Sequence, residues 1–288
     1  MMRVAVASGK GGTGKTTVAV NLALARGHLQ LLDCDVEDPD AALFLHPEIQ
    51  SVVPVTVTVP RHLPDRCTFC GRCAQLCAYN AIVVLPGQWL LTAELCKDCG
   101  GCYLVCPEQA LVPSSREIGT LIRGLADHDV EVVTGDLRPG EAMATPMIRR
   151  VKKMASDESP VVVDCPPGTA CAMVHAVDGA DLCLLVTEPT PFGCHDLEQA
   201  LDVVGAMDVP CAVVINRSDL GDAGVRTLCE RRGVPVLLEI PFDRDLAEAY
   251  ARGQAAVDAD GRWLSVFREL WDRLEELAVQ RSRDAATR

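Results

Sequence analysis

"SGKGGTGKTT", residues 8–17, stands between a short apolar run, "RVAVA", and a stretch patterned as a helix, residues 15–26. Gly9 through Thr16 fit the spacing G-x-x-x-x-G-K-[ST]. In such a loop the glycines let successive backbone N–H groups turn toward phosphate oxygens, and the helix N-terminus that follows favours negative charge. Lys15 is placed to reach the β- and γ-phosphates, and the Thr16 hydroxyl to sit on Mg²⁺. Gly11, Gly12, Thr13, Gly14 and Thr17 complete the expected cradle for ATP. The bland alternative is a chance Gly-rich turn, against which the flanking strand and helix both count.

Outward from the loop, "LQLLD", "VEVVT", "VVVDC", "LCLLVT", "CAVVIN" and "PVLLEI" are short, continuous apolar runs. Continuous runs suit strands buried on both faces of a parallel sheet. Helical patterns at 141–154, 195–206 and 223–232 separate several of them. The alternation predicts an α/β, P-loop NTPase-type, mostly parallel sheet with helices on both faces. Residues 58–113 break the alternation and hold eight of the fifteen cysteines. Within them Cys67, Cys70, Cys73 and Cys77 recur 29 residues later as Cys96, Cys99, Cys102 and Cys106. Two half-copies this short cannot bury a core alone and are expected to pack on each other. The expected division is therefore 1–57 and 114–288 for the nucleotide domain and 58–113 for an insert.

"CTFCGRCAQLC" and "CKDCGGCYLVCP" match the C-x₂-C-x₂-C-x₃-C run of bacterial two-cluster ferredoxins, in which the fourth cysteine serves the other cluster. The insert thus resembles an α+β 2[4Fe–4S] ferredoxin domain. That resemblance assigns Cys67, Cys70, Cys73 and Cys106 to one [4Fe–4S] cluster and Cys77, Cys96, Cys99 and Cys102 to a second. Zinc is the alternative, but its sites use two ligand pairs spaced a dozen or more residues apart. One departure is Ala78, which stands after Cys77 where the motif has proline; Pro107 keeps it after Cys106. Two cubes in one small lobe suit electron relay, whereas a single cluster would suffice to brace a fold.

Lys10, an extra lysine at the second position of the loop, resembles the deviant Walker A motif of the MinD/ParA group. The likeness extends to Asp33-Cys34-Asp35 at a strand end, "VVVDCPPG" as a Walker B strand, and "VINRSD" and "EIPFDR" as base-contacting segments. It implies that Lys10 acts across a dimer on the partner's nucleotide and that Asp35 orients the attacking water. Asp33 and Asp164 would hold Mg²⁺ through water, and Asn216 would lie near the adenine. Each aspartate has a structural alternative as a helix cap or turn residue. The implied assembly is a homodimer, or a heterodimer with a paralogous ATPase. Cys171 lies where a related protein places a subunit-bridging cluster ligand, but no second cysteine accompanies it.

A formal charge of −13, with no basic run, counts against nucleic acid as a partner. No membrane partner is expected either, because no 18-residue apolar stretch occurs. Without a secretory pattern the chain is expected to be cytoplasmic, with its cysteines reduced or metal-bound. "RWLSVFRELWDRLEELAVQ" puts Trp263, Leu264, Phe267, Leu270, Trp271, Leu274 and Leu277 on one face, with Arg268 and Arg273 offset by Glu269, Asp272, Glu275 and Glu276 on the other. That helix is expected to dock on its own sheet, with fraying from Arg281. The expected function is an ATPase coupling nucleotide state to electron transfer, with a redox or metallocofactor-assembly protein as partner. A positioning ATPase with passive clusters is one rival. A cluster scaffold is another, though its C-terminal C-x-x-C is missing after Cys106.

Overall fold

The computed structural model describes residues 1–286, with side chains through residue 280; the fraying expected from Arg281 falls outside those side chains. The strands are β1 (Arg3–Ala7), β2 (Leu29–Asp33), β3 (Glu48–His62), β4 (Ile82–Leu85), β5 (Gln88–Leu91), β6 (Leu111–Ala126), β7 (Val130–Leu137), β8 (Val161–Asp164), β9 (Leu182–Thr187), β10 (Cys211–Asn216) and β11 (Val236–Ile240). The helices are α1 (Lys15–Arg26), α2 (Ala41–Leu45), α3 (Arg72–Leu76), α4 (Gly101–Leu104), α5 (Ala144–Lys152), α6 (Cys171–Val177), α7 (Pro191–Ala206), α8 (Gly224–Arg232), α9 (Arg244–Ala251), α10 (Ala256–Ala259) and α11 (Gly261–Ala286).

Nine strands form one sheet in the order β11-β10-β9-β1-β8-β2-β7-β6-β3. From β11 to β7 every pairing is parallel, and β6 and β3 continue the sheet antiparallel. β2, β8 and β9 are buried along their whole length, as their unbroken apolar sequences require. Helices cover both faces and make two apolar layers. One holds α1 and α11, where Trp263, Phe267, Leu270, Trp271 and Leu274 are buried; the other holds α5, α6, α7 and α8. The amphipathic terminal helix therefore spends its apolar face on the chain's own core.

β3 and β6 are the long strands, 15 and 16 residues, paired from Glu48 opposite Leu125 to His62 opposite Leu111. They run unbroken through the expected boundaries at 57/58 and 113/114. Val55, Val57 and Val59 bury against the second apolar layer, and the far end carries residues 63–110, a lobe whose Leu91 and Cys96 also pack on that layer. Prolines 54 and 60 in β3 obscured this strand in the sequence. Both are tolerated because β3 is the sheet's edge.

Within the lobe the two half-copies adopt the same structure. A single 3₁₀ turn, Pro64–Arg66 or Ala93–Leu95, leads into each cysteine run, and a short helix, α3 or α4, follows. The β4–β5 hairpin joins the halves.

Candidate functional site

The phosphate loop links β1 to α1. Gly12 and Gly14 have φ of +78° and +91°, and a Cβ on Gly14 would fall 2.4 Å from Nδ2 of Asn216. Only glycine fits there. Asn216, at the end of β10, donates from Nδ2 to the Thr13 carbonyl at 2.8 Å, so the residue expected near the adenine also holds the loop in shape. Thr13 Oγ1 is buried without a partner beside it.

Lys15 is 6% exposed and turned back onto the sheet. Its Nζ lies 2.6 Å from Asp164 Oδ1, 3.5 Å from Asp35 and 3.3 Å from Thr16 Oγ1. Burial alone would lower its pKa, but Asp164, Asp35 and Asp33 outweigh burial and raise it above the usual lysine value. The ammonium is thus held by carboxylates, Asp164 foremost. Asp164 Oδ2 remains buried and unpartnered. A carboxylate with one orphaned oxygen, beside a threonine hydroxyl, fits a hydrated magnesium ion.

Asp33 is wholly buried, and its two oxygens accept backbone N–H groups from Asp35 and from Ala41 at the start of α2, both at 3.2 Å. These are the turn and cap contacts of the structural alternative. Burial, with Asp164 adding to it, raises its pKa well above the usual range. Asp35 is pushed up to about 6, by burial first, with Lys15 opposing and Asp164 reinforcing.

A cavity of about 470 Å³ is lined by Gly11, Lys15, Thr16, Asp35, Val36 and Ala144, among others. A second, of about 310 Å³, is lined by Asn216, Arg217, Pro241 and Phe242. Gly12, Gly14, Thr17 and Tyr250 line both, so the two read as the phosphate and base ends of one nucleotide site. Lys10 folds onto its own chain, 3.7 Å from Glu188, which also binds Arg217 at 2.6 Å.

Asp40, Tyr250, Glu188 and Arg217 were missed in the sequence. Asp40 Oδ1 is buried and unpartnered, and burial followed by Asp164 raises the Asp40 pKa. Tyr250 on α9 packs against Phe44 with the rings tilted by 34° and their centroids 4.7 Å apart, and burial together with Asp40 raises its phenol. These groups converge from distant segments, and no local spacing announces them.

In the lobe, Cys67, Cys70, Cys73 and Cys106 line one cavity, and Cys77, Cys96, Cys99 and Cys102 line another. The two halves repeat in detail. Positive φ occurs at Phe69 and Asp98, at Gly71 and Gly100, and at Asn80 and Gln109. Ala81 N–H donates to Cys77 Sγ at 3.3 Å, and Ala110 N–H to Cys106 Sγ at 3.2 Å. Burial pushes the Cys102 thiol up to about 11, with Cys96 and Cys99 adding to it. Among the described residues no three His, Cys, Asp or Glu side chains close on a point that a single ion would need.

Of the other cysteines, Cys34, Cys165, Cys183 and Cys229 are buried, and Cys171 is exposed at the start of α6. His195 pairs with Gln199 on the exposed side of α7. Among the described residues no helix is long and apolar enough to cross a membrane.

The chain matches the CobQ/CobB/MinD/ParA nucleotide binding domain over residues 4–257. An uncharacterized protein of Methanocaldococcus jannaschii is 27% identical, over 96% of this chain and 97% of its own. An iron-sulfur cluster carrier protein of Pyrococcus abyssi is 24% identical over 96% of this chain and 87% of its own. The structure of the Pyrococcus furiosus cell division ATPase MinD superposes with a TM-score of 0.61 at 22% identity, covering 96% of this chain and 99% of that one. The fold, the glycine loop and the match over most of its length agree: this chain belongs to the CobQ/CobB/MinD/ParA nucleotide-binding domain family and has its P-loop ATPase fold.

Proposed function

We propose that the chain is an ATP-binding and ATP-hydrolysing iron–sulfur protein that couples nucleotide state to electron transfer through two [4Fe–4S] clusters. Its setting is the maturation of a metallocofactor or an Fe–S protein. The observation that carries this reading is the crosswise sorting of eight cysteines into two quartets around two cavities, at the end of a ribbon rooted in the ATPase sheet. Residues 58–113 are then the ferredoxin lobe and the remainder the ATPase domain. Four cysteines per cavity, three from one run and one from the other, follow the two-cluster ferredoxin pattern rather than the paired spacing of zinc sites.

On ATP binding, Lys15 leaves Asp164 for the β- and γ-phosphates, and Thr16, Asp33 and Asp164 hold Mg²⁺, the aspartates through water. Asp35 orients the attacking water. Lys10 must leave Glu188 to reach the nucleotide of a partner subunit, which makes hydrolysis depend on dimerisation. Bound in the lobe, each cluster supplies one-electron storage and transfer. The chain's part is to exclude water with the apolar cavity walls and to aim amide N–H groups at sulfur. The exposed Cys70 and Cys99 mark where electrons reach a partner.

The test is anaerobic purification, an iron count and EPR of the reduced protein with and without ATP. About eight irons per chain and a nucleotide-dependent spectrum or potential are expected. Zinc in place of iron would end this reading. A second reading, cluster carriage, is favoured by the same exposed cysteines and by the name of the Pyrococcus abyssi relative. It predicts that a cluster passes intact to an apo-protein, whereas an electron carrier keeps its iron.

A further inference from the structure

A half-buried ion pair lies between the two sites. Arg116 on β6 donates from Nη1 to Oε2 of Glu141, whose side chain is 3% exposed against 17% for the arginine. Arg116 Nε and Nη2 and Glu141 Oε1 are buried with no partner. Burying a pair with spare donors and a spare acceptor is costly, and an apolar pair would brace the fold as well. Its surroundings give it a use.

On the lobe side, the Arg116 guanidinium is within electrostatic reach of Glu94 and Cys96. Cys96 packs on the same apolar layer as Val55, Val57 and Ile118. Thr58 pairs with Ser115, next to Arg116, and its N–H donates to Asp98 Oδ2, in the loop between Cys96 and Cys99, at 3.0 Å. On the nucleotide side, Glu141 sits in the turn 138–143. Before that turn the Leu137 N–H donates to the Val36 carbonyl, and within it Arg138 N–H donates to Ile118 and Glu141 N–H to Arg138. After it comes Ala144. Val36, which follows Asp35, and Ala144 both line the phosphate cavity. The turn is therefore pinned at each end to the wall around the nucleotide, with Glu141 between.

We propose that the Arg116–Glu141 pair couples the phosphate cavity to the cluster held by Cys77, Cys96, Cys99 and Cys102. Arg116 sets that cluster's reduction potential, and nucleotide-driven movement of the turn alters how far Glu141 cancels its charge. The proposal rests on the two-cluster reading above. Reduction adds one negative charge, and a nearby cation favours the reduced form. Lys97 also lines the cavity of this quartet, whereas the other is faced by Arg72, which is exposed and screened by water, and by Glu108. The two clusters should therefore differ in potential, with the electron resting on the one nearer the ATPase core. No bond or proton change is involved; in the assay dithionite supplies the electron.

The experiment is an EPR-monitored redox titration of anaerobic, full-length protein, with and without a non-hydrolysable ATP analogue and Mg²⁺. Wild type is compared with Glu141→Gln, Arg116→Gln and Arg116→Lys after an iron count on each. Glu141→Gln should raise one cluster's potential and Arg116→Gln lower it, each by about tenfold in the oxidised-to-reduced ratio, or 59 mV for one electron. The second cluster should stay in place, and the analogue-induced shift should fall to less than about a third of wild type. If Arg116→Gln does not fold, the other two variants carry the comparison. Hydrogen exchange of amides 138–143, read on iron-free protein, should change when the analogue binds. Absent iron in wild type would overturn the two-cluster reading itself. Full iron with unmoved potentials in Glu141→Gln and Arg116→Lys, or exchange indifferent to the analogue, would overturn the ion pair's role alone.

Discussion

Asp35→Asn should stabilise the nucleotide-free protein while abolishing turnover. Burial raises the Asp35 carboxyl from 3.8 to about 6, net of the pull from Lys15 and the push from Asp164. The folded state therefore binds the Asp35 proton more tightly than the unfolded chain does. Its contribution to stability is full below about pH 4, falls as pH rises through the window from about 4 to 6, and stays lost above it. The raised pKa spans about 2.2 units, so ionising this group costs the folded protein about 3 kcal/mol at pH 8. At pH 5, where the folded carboxyl is still mostly protonated, the cost is about half that. Asparagine mimics the protonated acid and escapes the cost. The gain should thus be about 3 kcal/mol at pH 8 and about 1.5 kcal/mol at pH 5, or roughly 6 °C and 3 °C in Tm. Scanning calorimetry of both proteins at the two pH values, without nucleotide or Mg²⁺, reads this difference. ATP turnover should drop roughly 10²-fold or more if Asp35 positions the water. An equal gain at both pH values, or a lower Tm at pH 8, would refute the reasoning.

Three further outcomes are expected. Gly14→Ala forces a Cβ to 2.4 Å from Asn216 Nδ2 at a φ of +91°. It should cost about 2 kcal/mol or more and weaken ATP binding at least about tenfold; calorimetric affinity within a factor of two of wild type would contradict this geometry. Cys106→Ser should perturb the cluster of Cys67, Cys70 and Cys73, and Cys77→Ser the cluster of Cys96, Cys99 and Cys102. Mössbauer and EPR spectra of the two variants would distinguish this crosswise sharing from within-run ligation, which predicts the reverse pattern. Lys10→Ala should keep nucleotide affinity within about threefold yet lose ATP-dependent dimerisation and turnover; light scattering with ATP that still shows a dimer would remove the trans role from this lysine.

What could be read in advance follows from where the information is stored. The parallel strands and α1 are local: an apolar run or a 3.6-residue stripe is fixed by a few neighbours, and Arg3–Ala7, Lys15–Arg26 and Leu182–Thr187 lie where their sequences place them. The phosphate loop and the cysteine runs are local too, because a turn around phosphate or sulfur needs its residues at set intervals. β3 escaped because its pattern is interrupted by Pro54 and Pro60, and only its edge position makes those residues harmless. Asp40, Tyr250 and the Arg116–Glu141 pair escaped for another reason: each contact joins segments that only the completed sheet brings together. The second kind of information has a functional consequence. Two local motifs can specify a nucleotide loop and a cysteine lobe, but neither can specify communication between them. The coupling proposed above would be carried by non-local contacts at the root of the β3–β6 ribbon, where Val57 faces the core and Arg116, its pairing partner, meets Glu141. A lobe inserted by a flexible linker would have kept both sites and lost that contact. The pairing steps in register at Val55/Thr56 and runs regularly from Thr56 opposite Glu117 to His62 opposite Leu111, so the segment that carries Arg116 reaches the lobe on continuously paired strands.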